Sequence, residues 1–532
     1  MNLIEQPWIQ VRRQDGTLSR IAPWQVLEHL ETNPVVALNT GRPDFDGSLF
    51  QFLVGLFQTL NLCPARRDFE RLWAKPPRPE ELKAKLSALA PYFELLGEGP
   101  RFMQDFDLPQ KAEDYEIAAL LPDTPGENAS KKNTDHFIKR REAYALCLPC
   151  TAAALFNLQT NAPAGGPGYR TGLRGGGPLN TLVSLQPQEG QSPSLWLDLC
   201  LNLLPQEAFG KPSPYEGPEG QKEWFPWTSP TRTSSQSEEV TGQNGHPLLM
   251  FWATPRRIWL DSKDTRSGHC SLCNEPGETL LQKYRTLKHG ANYTRFWRHP
   301  FSPHYLDKKS GDYLCEHPNP GGLGYRHWLN LTYGKPDHSK RPADVVYEAL
   351  HNRKSLEVRL WAFGYDFDNM KLRGWQETKM PLYSCGWRDP DSFTKQISDW
   401  LEGAGLAIFF LRSKLKEAQF GEGASPKGPH GFIDKDFWDA TEPDFYRLLA
   451  QAQALPDYDA NRLFEMTQDW HKILVKQAQT FFALWAEAGP PEQLNFKRIY
   501  QAKNSLDFSL SGEKSKLKVA LGLATATKEK KK

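Results

Sequence analysis

Two CxxC motifs that lie far apart in the sequence place the strongest constraint on how this chain can fold. Cys147 and Cys150 form the first pair, and Cys270 and Cys273 form the second pair about 120 residues downstream. Four thiolates in two such pairs suit a tetrahedral zinc ion, because each pair chelates the metal with two sulfurs. A compact zinc ribbon separates its pairs by only ~15–20 residues, so a shared ion would close an unusually large loop here. The alternative is two unrelated pairs of reduced, partly buried cysteines.

A glycine-rich loop follows the first CxxC pair. Gly165, Gly166 and Gly168 carry no side chains, so the backbone there can approach a ligand closely and adopt positive φ. Arg170 and Arg174 add positive charge, which favours contact with phosphates. The loop lacks the GK[ST] ending of a Walker motif and the strand–loop–helix context of a dinucleotide site. A simple structural turn is the alternative interpretation.

Two further segments combine positive charge with features typical of nucleic-acid binding. Residues 122–146 are polar and basic, which suits a polyanion-binding arm, although composition alone supports a solvated loop equally well. Residues 283–305 interleave cations with aromatic residues, a combination that suits phosphates and bases. Because the formal net charge of the chain is only +2, any polyanion contact has to come from such local patches. The cations are Lys131, Lys132, Lys139, Arg140 and Arg141 in the first segment and Lys283, Arg285, Lys288, Arg295 and Arg298 in the second.

A turn at residues 364–375 is a third candidate for contact with nucleic acid. Its glycine, aspartate and asparagine residues predict a hairpin whose tip is Asp368-Asn369-Met370-Lys371. One interpretation is an ordinary β-hairpin. The other is a wedge, because an amide, a thioether and a cation at a hairpin tip could enter a DNA groove.

The rest of the sequence predicts a mixed α/β region followed by helices. From about Asp389 onwards, apolar residues recur at helical spacing in four stretches, which indicates a four-helix bundle. The earlier predictions are a β-hairpin over 3–28, helices over 47–62 and 80–96 (the second ending at Gly97), strands over 179–185, 195–204 and 248–260, and a helix followed by a strand over 343–362. We therefore predict an α+β chain. Its parts are a mixed α/β nucleic-acid-recognition domain over 1–385, a four-helix bundle over 386–510 and a basic, disordered tail over 511–532.

The sequence shows no sign of a membrane or of secretion. The N-terminus MNLIEQPWIQV lacks the basic segment and apolar core of a signal peptide, and no run of ~18 apolar residues occurs. We expect a soluble, cytoplasmic protein that does not contact a membrane. In that compartment the CxxC pairs favour metal binding over disulfides.

The combination of the CxxC pair with NAPAGGPGYRTGLRGGGP, WRHPFSP and GYDFDNMK resembles the CasA family, the large subunits of the type I-E CRISPR surveillance complex Cascade. The resemblance extends from PWIQV near the N-terminus to the C-terminal helices. It implies a mixed α/β N-terminal domain with a structural Zn²⁺ ion, a C-terminal four-helix bundle and no enzymatic activity. It also implies recognition of the protospacer-adjacent motif in double-stranded DNA from the minor groove, initiation of strand separation and R-loop formation, and help in recruiting a helicase–nuclease.

The resemblance also implies partners and assigns roles to individual positions. The partners are target double-stranded DNA, the 5′ handle of the guide RNA, the helicase–nuclease, and the backbone, small and 5′-handle-binding subunits of Cascade. By position relative to the shared motifs, the glycine loop corresponds to Gly165, Gly166 and Gly168, the lysine finger to Lys288, the wedge to Asn369 and Met370, and the guide-handle loop to the segment around His136 and Phe137. Further contacts with guide or nucleic-acid backbone are expected from Lys139, Arg140, Arg170, Arg174 and Lys371.

This chain departs from the family pattern at two places. The best-known members carry glutamine in the wedge, where this chain has Met370 or Lys371. Pro167 also interrupts the glycine run. These differences bear on which protospacer-adjacent motif the protein prefers and on how the wedge acts.

Two other classes of function fit parts of the sequence. A zinc-dependent nucleic-acid hydrolase is one, but four cysteine ligands leave no coordination position for a catalytic water. The sequence also contains no compact HExxH motif and no obvious paired-carboxylate site for two metal ions. The other is a scaffold that touches only RNA and protein and reads no DNA.

Overall fold

The computed structural model describes residues 1–126, 131–132, 143–186, 193–210, 215–217, 219–295, 297–335, 337–353, 356–423, 431–488 and 494–524. Contacts within the chain divide it into two compact units. Unit 1 comprises residues 1–318 and 340–379, and unit 2 comprises residues 319–339 and 380–532. Unit 1 mixes strands and helices, whereas the second part of unit 2 is helical.

Unit 1 is built from small antiparallel sheets with helices between them. The described strands form three-stranded sheets in the orders β2-β1-β3, β4-β9-β6, β11-β10-β12 and β14-β13-β5, and the ribbon β7-β8. The strands are β1 (Ile9–Arg13), β2 (Leu18–Ile21), β3 (Val35–Leu38), β4 (Glu113–Glu116), β5 (Asn180–Leu185), β6 (Arg257–Leu260), β7 (Thr265–His269), β8 (Pro276–Leu281), β9 (Lys283–Leu287), β10 (His304–Leu306), β11 (Tyr313–Cys315), β12 (Lys340–Arg341), β13 (Val358–Asp368) and β14 (Lys371–Leu382).

The described helices of unit 1 are mostly short. Several 3-10 turns accompany them, at Pro23–Leu27, Ala90–Tyr92, Ile117–Leu120, Pro226–Thr228 and Ser234–Gln236. The α-helices are α1 (Pro43–Thr59), α2 (Arg66–Ala74), α3 (Pro79–Ser87), α4 (Leu148–Asn161), α5 (Leu195–Leu201), α6 (Gln206–Phe209), α7 (Gln221–Trp224) and α8 (Leu249–Trp252); unit 2 contains α9 (Trp328–Thr332), and α10 (Asp344–Asn352) returns to unit 1.

An aromatic cluster centred on α1 forms the core of unit 1. The Phe52 ring is fully buried and meets the ring of Trp8 at 5.4 Å and that of Phe156 at 5.5 Å between centroids. The rings of Phe102 and Trp252 contact Phe52 in the same edge-on manner. Edge-to-face pairs of this kind stabilise a core beyond the area they bury. Because Phe156 lies on α4, this core holds the helix that follows the first CxxC pair.

Several predicted elements of unit 1 are confirmed, and three are wrong in part. The N-terminal hairpin is confirmed, with Ile9 opposite Ile21 and Gly16 at φ +87° in the turn. The helix predicted over 80–96 ends at Ser87, so Gly97 does not cap it. The strand predicted over 248–260 is the short helix α8 followed by β6.

The strand predicted over 195–204 is the helix α5. An apolar run of this length fits a buried helix as well as a strand, because Leu195 and Leu199 also share a helical face. The helix packs beside β5, where the Asp198 carboxylate accepts a hydrogen bond from the Leu185 amide at 2.7 Å. Asn202 at its end bonds both backbone groups of Val183.

Unit 2 contains long helices at the predicted places. Four of the described helices of this unit begin at an N-cap residue whose side chain accepts hydrogen bonds from backbone N–H groups. This is the role expected of Asp, Asn and Ser at an N-cap. The caps are Asp389, Asp459, Asn495 and Ser515. The helices are α11 (Pro390–Phe420), α12 (Gly431–Gln453), α13 (Ala460–Ala486), α14 (Phe496–Ser511) and α15 (Lys516–Ala520).

Buried tryptophans join the long helices of unit 2. The Trp470 indole on α13 donates to the Trp400 carbonyl on α11 at 2.9 Å, and the Trp400 indole donates to the Thr467 hydroxyl at 2.9 Å. Pro443 lies inside α12 without ending it. The segment 319–339 belongs to this unit, and its Tyr325 ring stacks on Phe445 with centroids 4.5 Å apart. Within the described residues, no helix is long and apolar enough to cross a membrane.

Candidate metal centre and nucleic-acid interface

The two CxxC pairs lie on two backbone turns that face each other. Cys147 is the N-cap residue of α4, and Cys150 lies in the first turn of that helix. Cys270 and Cys273 lie in the turn of the β7-β8 ribbon, where Asn274 adopts φ +58°. The turn is closed by hydrogen bonds from the Cys270 amide to the Glu275 carbonyl at 2.9 Å and from the Asn274 amide to the Cys270 carbonyl at 2.9 Å.

Hydrogen bonds connect these two turns directly. Leu146 and Leu281 exchange hydrogen bonds at 3.0 and 2.8 Å as an isolated antiparallel bridge. The Ser271 amide donates to the Ala145 carbonyl at 2.9 Å. The Cys147 amide donates to the Cys270 sulfur at 3.4 Å. The first CxxC pair is therefore positioned directly against the second.

The four cysteine sulfurs converge to the geometry of a metal centre. All four Sγ atoms lie within 4.8 Å of one another, and Cys147 Sγ lies 3.7 Å from Cys273 Sγ. A tetrahedral zinc ion with Zn–S bonds of about 2.3 Å requires sulfurs separated by roughly 3.8 Å. The four thiols therefore fit a structural zinc ion, and they supply a complete tetrahedral ligand set.

Hydrogen bonds among the four thiols divide them into two pairs, because the pKa values of Cys147 and Cys150 are raised and those of Cys270 and Cys273 are lowered. Hydrogen bonds from the Cys147 and Cys150 thiols lower the pKa of Cys273 to about 7, and they also lower the pKa of Cys270. Arg20 contributes a cation, since its Nη2 lies 3.8 Å from Cys273 Sγ and 2.6 Å from a Glu275 carboxylate oxygen. Positive charge next to a thiolate stabilises it.

Helix α4 connects the metal centre to the glycine loop. The chain leaves α4 at Asn161, and the second half of the loop folds back onto this helix end. The Gly172 amide donates to the Ala162 carbonyl at 3.0 Å, and the Gly177 amide donates to the Asn161 carbonyl at 3.2 Å. A side chain at Gly172 would come within 2.7 Å of the Thr160 carbonyl oxygen, so close packing of backbone against backbone requires glycine there.

The first half of the glycine loop forms an exposed turn beside Lys288. The Tyr169 amide donates to the Gly166 carbonyl at 3.1 Å, and Gly166 and Gly168 have φ of +86° and +85°. A side chain at Gly166 would meet no atom within 4 Å, whereas one at Gly168 would lie 3.0 Å from Lys288 Cβ. The His289 amide donates to the Gly168 carbonyl at 2.7 Å. The structure therefore brings the predicted glycine loop and Lys288 into direct contact.

Lys288 is exposed just after the end of β9, and no carboxylate among the described residues pairs with it. Two other cations of the 283–305 segment form close ion pairs with carboxylates. Lys283 pairs with Asp264 at 2.8 Å and Arg298 with Asp344 at 2.6 Å. The prediction that this segment also offers exposed rings is wrong for Tyr284, Trp297 and Phe301, which are 5%, 5% and 0% exposed. The segment therefore exposes the charge of Lys288 to solvent, and these three rings are not available for stacking on bases.

The two arginines of the glycine loop have different environments. Arg170 is half-buried and donates from Nε to the Ser234 hydroxyl at 2.8 Å. Arg174 is only 6% exposed, and its guanidinium donates to the side chains of Gln51, Asn180 and Ser302. Burial lowers the pKa of Arg174 to about 10. The structure places Arg174 in the core, so the predicted nucleic-acid contact is wrong for this residue.

The predicted hairpin is present, with its tip in solvent. Strands β13 and β14 flank Asn369, which has φ +55°, and Met370, whose side chain is 59% exposed. Lys371 is also exposed. Arg373 of β14 pairs with Asp366 of β13 at 2.6 Å, and we call this part of the hairpin, next to the tip, the neck. Just below it, a side chain at Gly177 would lie 2.6 Å from the Phe367 ring, so the second half of the glycine loop packs against this hairpin.

The predicted guide-contact residues His136, Phe137, Lys139 and Arg140 lie outside the described residues. Conversely, the sequence patterns do not reveal several residues that shape the site. Arg20 lies beside Cys273, and Arg256 and His289 lie beside the glycine loop. No motif marks them, because strand pairing and not sequence spacing brings them there.

Comparison with known proteins places the chain in a family. Its residues 2–481 match the family described as CRISPR-associated protein Cse1. The fold is similar to Thermobifida fusca Cse1 (TM-score 0.70, 17% identity, 99% of each chain covered) and to Thermus thermophilus CasA (TM-score 0.67, 17% identity, 96% of this chain and 99% of that chain). A chain of a CRISPR RNA-guided surveillance complex is also similar (TM-score 0.68, 14% identity, 95% and 99% covered). These findings confirm the resemblance seen in the sequence, and the chain belongs to the Cse1 (CasA) family of CRISPR-associated proteins.

Proposed function

We propose that this chain is the non-catalytic large subunit of a CRISPR RNA-guided surveillance complex and that it recognises the protospacer-adjacent motif in duplex DNA from the minor groove. Membership of the Cse1 family and the similarity to a chain of such a complex support the subunit role. The observation that carries the DNA-reading role is the contact between Gly168 and Lys288. It joins a glycine-rich turn, in which only Pro167 carries a side chain, to a cation that pairs with no carboxylate among the described residues.

The geometry of this surface suits the minor groove. The groove is only about 6 Å wide, so a turn can enter it more easily where side chains are absent. Gly166 has open space around its missing side chain, so a groove could approach the backbone of the turn there without a clash. The Lys288 ammonium donates to the acceptor atoms on the groove floor. Because those acceptors differ little between A·T and T·A pairs, we expect recognition that tolerates several motifs.

The hairpin tip is proposed to begin strand separation. Met370 is an exposed apolar side chain held on a neck that the Arg373–Asp366 ion pair fixes. Inserting such a wedge between base pairs costs a few kcal/mol per unstacked step. Pairing with the guide then replaces DNA pairing at little net cost, so the first opening beside the motif is the step that needs help. Arg170 and Lys371 contribute charge towards the nucleic-acid backbone.

The remaining parts of the proposal concern assembly. Zinc at the four cysteines is structural, because four sulfurs leave no position for a catalytic water. We assign residues 1–385 to nucleic-acid recognition and 386–510 to a four-helix bundle made of α11–α14. The prediction of a disordered tail over 511–532 is wrong for its first part, because α15 lies within it and buries Leu517, and Leu521 follows it at 4% exposure. The proposed partners are the guide RNA 5′ handle, contacted near residues 136–140, the other Cascade subunits, and a helicase–nuclease recruited after R-loop formation. We propose the cytoplasm as the site of action.

The test is a reconstituted complex carrying Lys288→Ala. We expect discrimination between motif-bearing and motif-free duplexes to fall about tenfold, since one charge-assisted contact with a groove is lost. Lys309→Ala is the matched control, because it removes an equally exposed lysine from the turn between β10 and β11. Binding to both duplexes is measured by titration at one fixed salt concentration. Unchanged discrimination in Lys288→Ala would remove this residue from the reader and refute the proposal.

A further inference from the structure

A largely buried arginine lies directly beneath the exposed turn of the glycine loop. Arg256 immediately precedes β6, and its Nη2 donates a hydrogen bond to the Pro163 carbonyl at the start of the loop. Its guanidinium carbon lies 5.1 Å from the centre of the Tyr169 ring at the end of the turn. One planar group therefore contacts both ends of the 163–169 segment.

The packing of this guanidinium against the turn is close. A side chain at Gly165 would lie 2.7 Å from Arg256 Nη1. The guanidinium can therefore pack against the backbone here only because residue 165 is glycine. The Tyr169 hydroxyl is in turn hydrogen-bonded to the Tyr115 hydroxyl of β4 at 3.1 Å. The backbone of Arg256 is fixed as well, because its amide and carbonyl both bond the Gln159 side chain on α4 at 3.0 and 2.9 Å.

Arg256 has no counter-ion that would explain its burial. No carboxylate among the described residues forms an ion pair with it, and its Nε has no hydrogen-bond partner there. Burial lowers the pKa of Arg256 to about 10, so the group still carries its charge at neutral pH. Keeping an unpaired charge in a largely desolvated place is unfavourable for stability.

Strand pairing places Arg256 next to Lys288. In the register of β6 and β9, Arg257 lies opposite Leu287, so the residues that flank this pair at the same end of the sheet are Arg256 and Lys288. The backbones remain in contact beyond the sheet, since a side chain at Gly290 would overlap the Pro255 carbonyl. The glycine turn thus rests on Arg256 on one side and contacts Lys288 and His289 on the other.

We propose that Arg256 is a positioning residue for motif recognition: its guanidinium holds the Gly165–Gly168 turn at a fixed position relative to Lys288, and so sets how well the complex distinguishes motif-bearing from motif-free DNA. The inference rests on the proposed function of this surface. A planar group with several donors can stack on Tyr169 and bond Pro163 at the same time, which lysine cannot do. Fixing the turn before DNA arrives avoids an ordering cost upon binding.

The experiment compares Arg256→Met, Arg256→Lys and Lys288→Ala in the assembled complex. Methionine keeps the unbranched stem of the side chain and removes both the charge and the hydrogen bond. Two quantities are measured: the ratio of affinities for motif-bearing and motif-free duplexes, and binding to a guide-matched target whose two strands are already unpaired. The second measurement reports folding, assembly and guide pairing without any need to read the motif.

We expect Arg256→Met to lower the affinity ratio about tenfold and to leave binding to the unpaired target within about twofold of the parent complex. We expect Arg256→Lys to give an affinity ratio between those of the parent complex and Arg256→Met, because lysine retains only the charge. Equal losses on both targets would show a merely structural role and overturn the inference. If Lys288→Ala lowers the ratio and Arg256→Met does not, only the inference about Arg256 fails; if Lys288→Ala has no effect, the proposed function itself fails.

A variant on the loop side covers the case in which Arg256→Met does not assemble. Tyr169→Leu removes the ring that Arg256 contacts while leaving the arginine in place. We expect it to lower the affinity ratio in the same direction and to spare the unpaired target. Tyr169→Phe keeps the ring and loses only the bond to Tyr115, so it should retain the parent ratio. A Tyr169→Leu complex with the parent ratio would overturn the inference.

Discussion

Cys147 Sγ lies 3.7 Å from Cys273 Sγ, although 126 residues separate the two in the chain. A metal ion at this point would close a loop that contains the glycine turn and ends before β8, the strand that precedes β9 and Lys288. Closing a long loop costs only slightly more entropy than closing a short one, whereas a bound ion contributes its full binding energy to the folded state. The metal centre therefore stabilises the same part of unit 1 that presents the proposed reader.

Replacing one ligand should release the metal. We expect Cys147→Ser to abolish stoichiometric zinc and to destabilise unit 1 by about 3 kcal/mol or more. Elemental analysis of the purified chain and thermal unfolding measure the two effects. Cys63→Ser is the control, since Cys63 is a buried thiol outside the four-cysteine cluster. Zinc that persists in Cys147→Ser, or that is missing from the unaltered protein, would contradict the assignment.

Gly166 offers a way to separate contact with DNA from packing within the protein. An added methyl group would meet no protein atom within 4 Å, so Gly166→Ala should cost only the roughly 1–2 kcal/mol of a left-handed backbone. We nevertheless expect a clear loss of motif discrimination, because the methyl group points to the space that the groove would fill. Gly311→Ala is the matched control, with φ +75° and the same open surroundings. Equal discrimination in the two variants would argue against entry of the turn into the groove.

The wedge role predicts a kinetic effect at the hairpin tip. Replacing Asn369 and Met370 with glycine should slow R-loop formation more than it weakens initial duplex binding, since the side chains that separate the bases are lost. Glycine fits the backbone at position 369, where φ is already +55°, so the hairpin itself should persist. A target with pre-opened strands should restore the parental rate. Equal effects on binding and opening would be inconsistent with a wedge.

Asp198 predicts a pH dependence of stability in unit 1. Burial raises the pKa of this carboxyl group to about 7, from an ordinary value near 4. Between these two values the folded state holds a proton that the unfolded state has lost, so this group makes stability fall as pH rises through that window. Asp198→Asn keeps an acceptor for the Leu185 amide and cannot ionise. We expect the variant to unfold at a higher temperature than the parent at pH 8 and at a similar temperature at pH 4.5; an equal difference at both pH values would contradict the assignment.

The parts of the fold that can be predicted are those with strong local signals. Apolar spacing and capping residues locate α1 and the long helices from Pro390 onwards, and the Asp15-Gly16 turn locates the first hairpin. The strand prediction for 195–204 is wrong because the apolar residues of this run fit a buried strand and a buried helix equally well. The contact of Asp198 and Asn202 with β5 decides between them, and that contact depends on tertiary structure.

The parts of the candidate site that can be predicted are likewise those with strong local signals in the sequence. CxxC spacing marks the metal ligands, and glycine content marks the loop. Arg174 has the same composition signal as Arg170, but its burial depends on Gln51 and Ser302, which lie far away in the chain, as well as on the nearby Asn180. Arg256 carries no signal in the sequence at all, because its role comes from the pairing of β6 with β9.

The glycine loop is fixed in one half and open in the other. Backbone contacts with Thr160 and Ala162 leave no room for a side chain at Gly172, whereas Gly166 faces solvent. A side chain at Gly165 would lie 2.7 Å from Arg256 Nη1 and one at Gly168 3.0 Å from Lys288 Cβ, so the room for evolutionary change in this turn is concentrated around Gly166. If the turn reads the flanking motif as proposed, related proteins with other motif preferences should differ there first, while the rest of the loop stays constant.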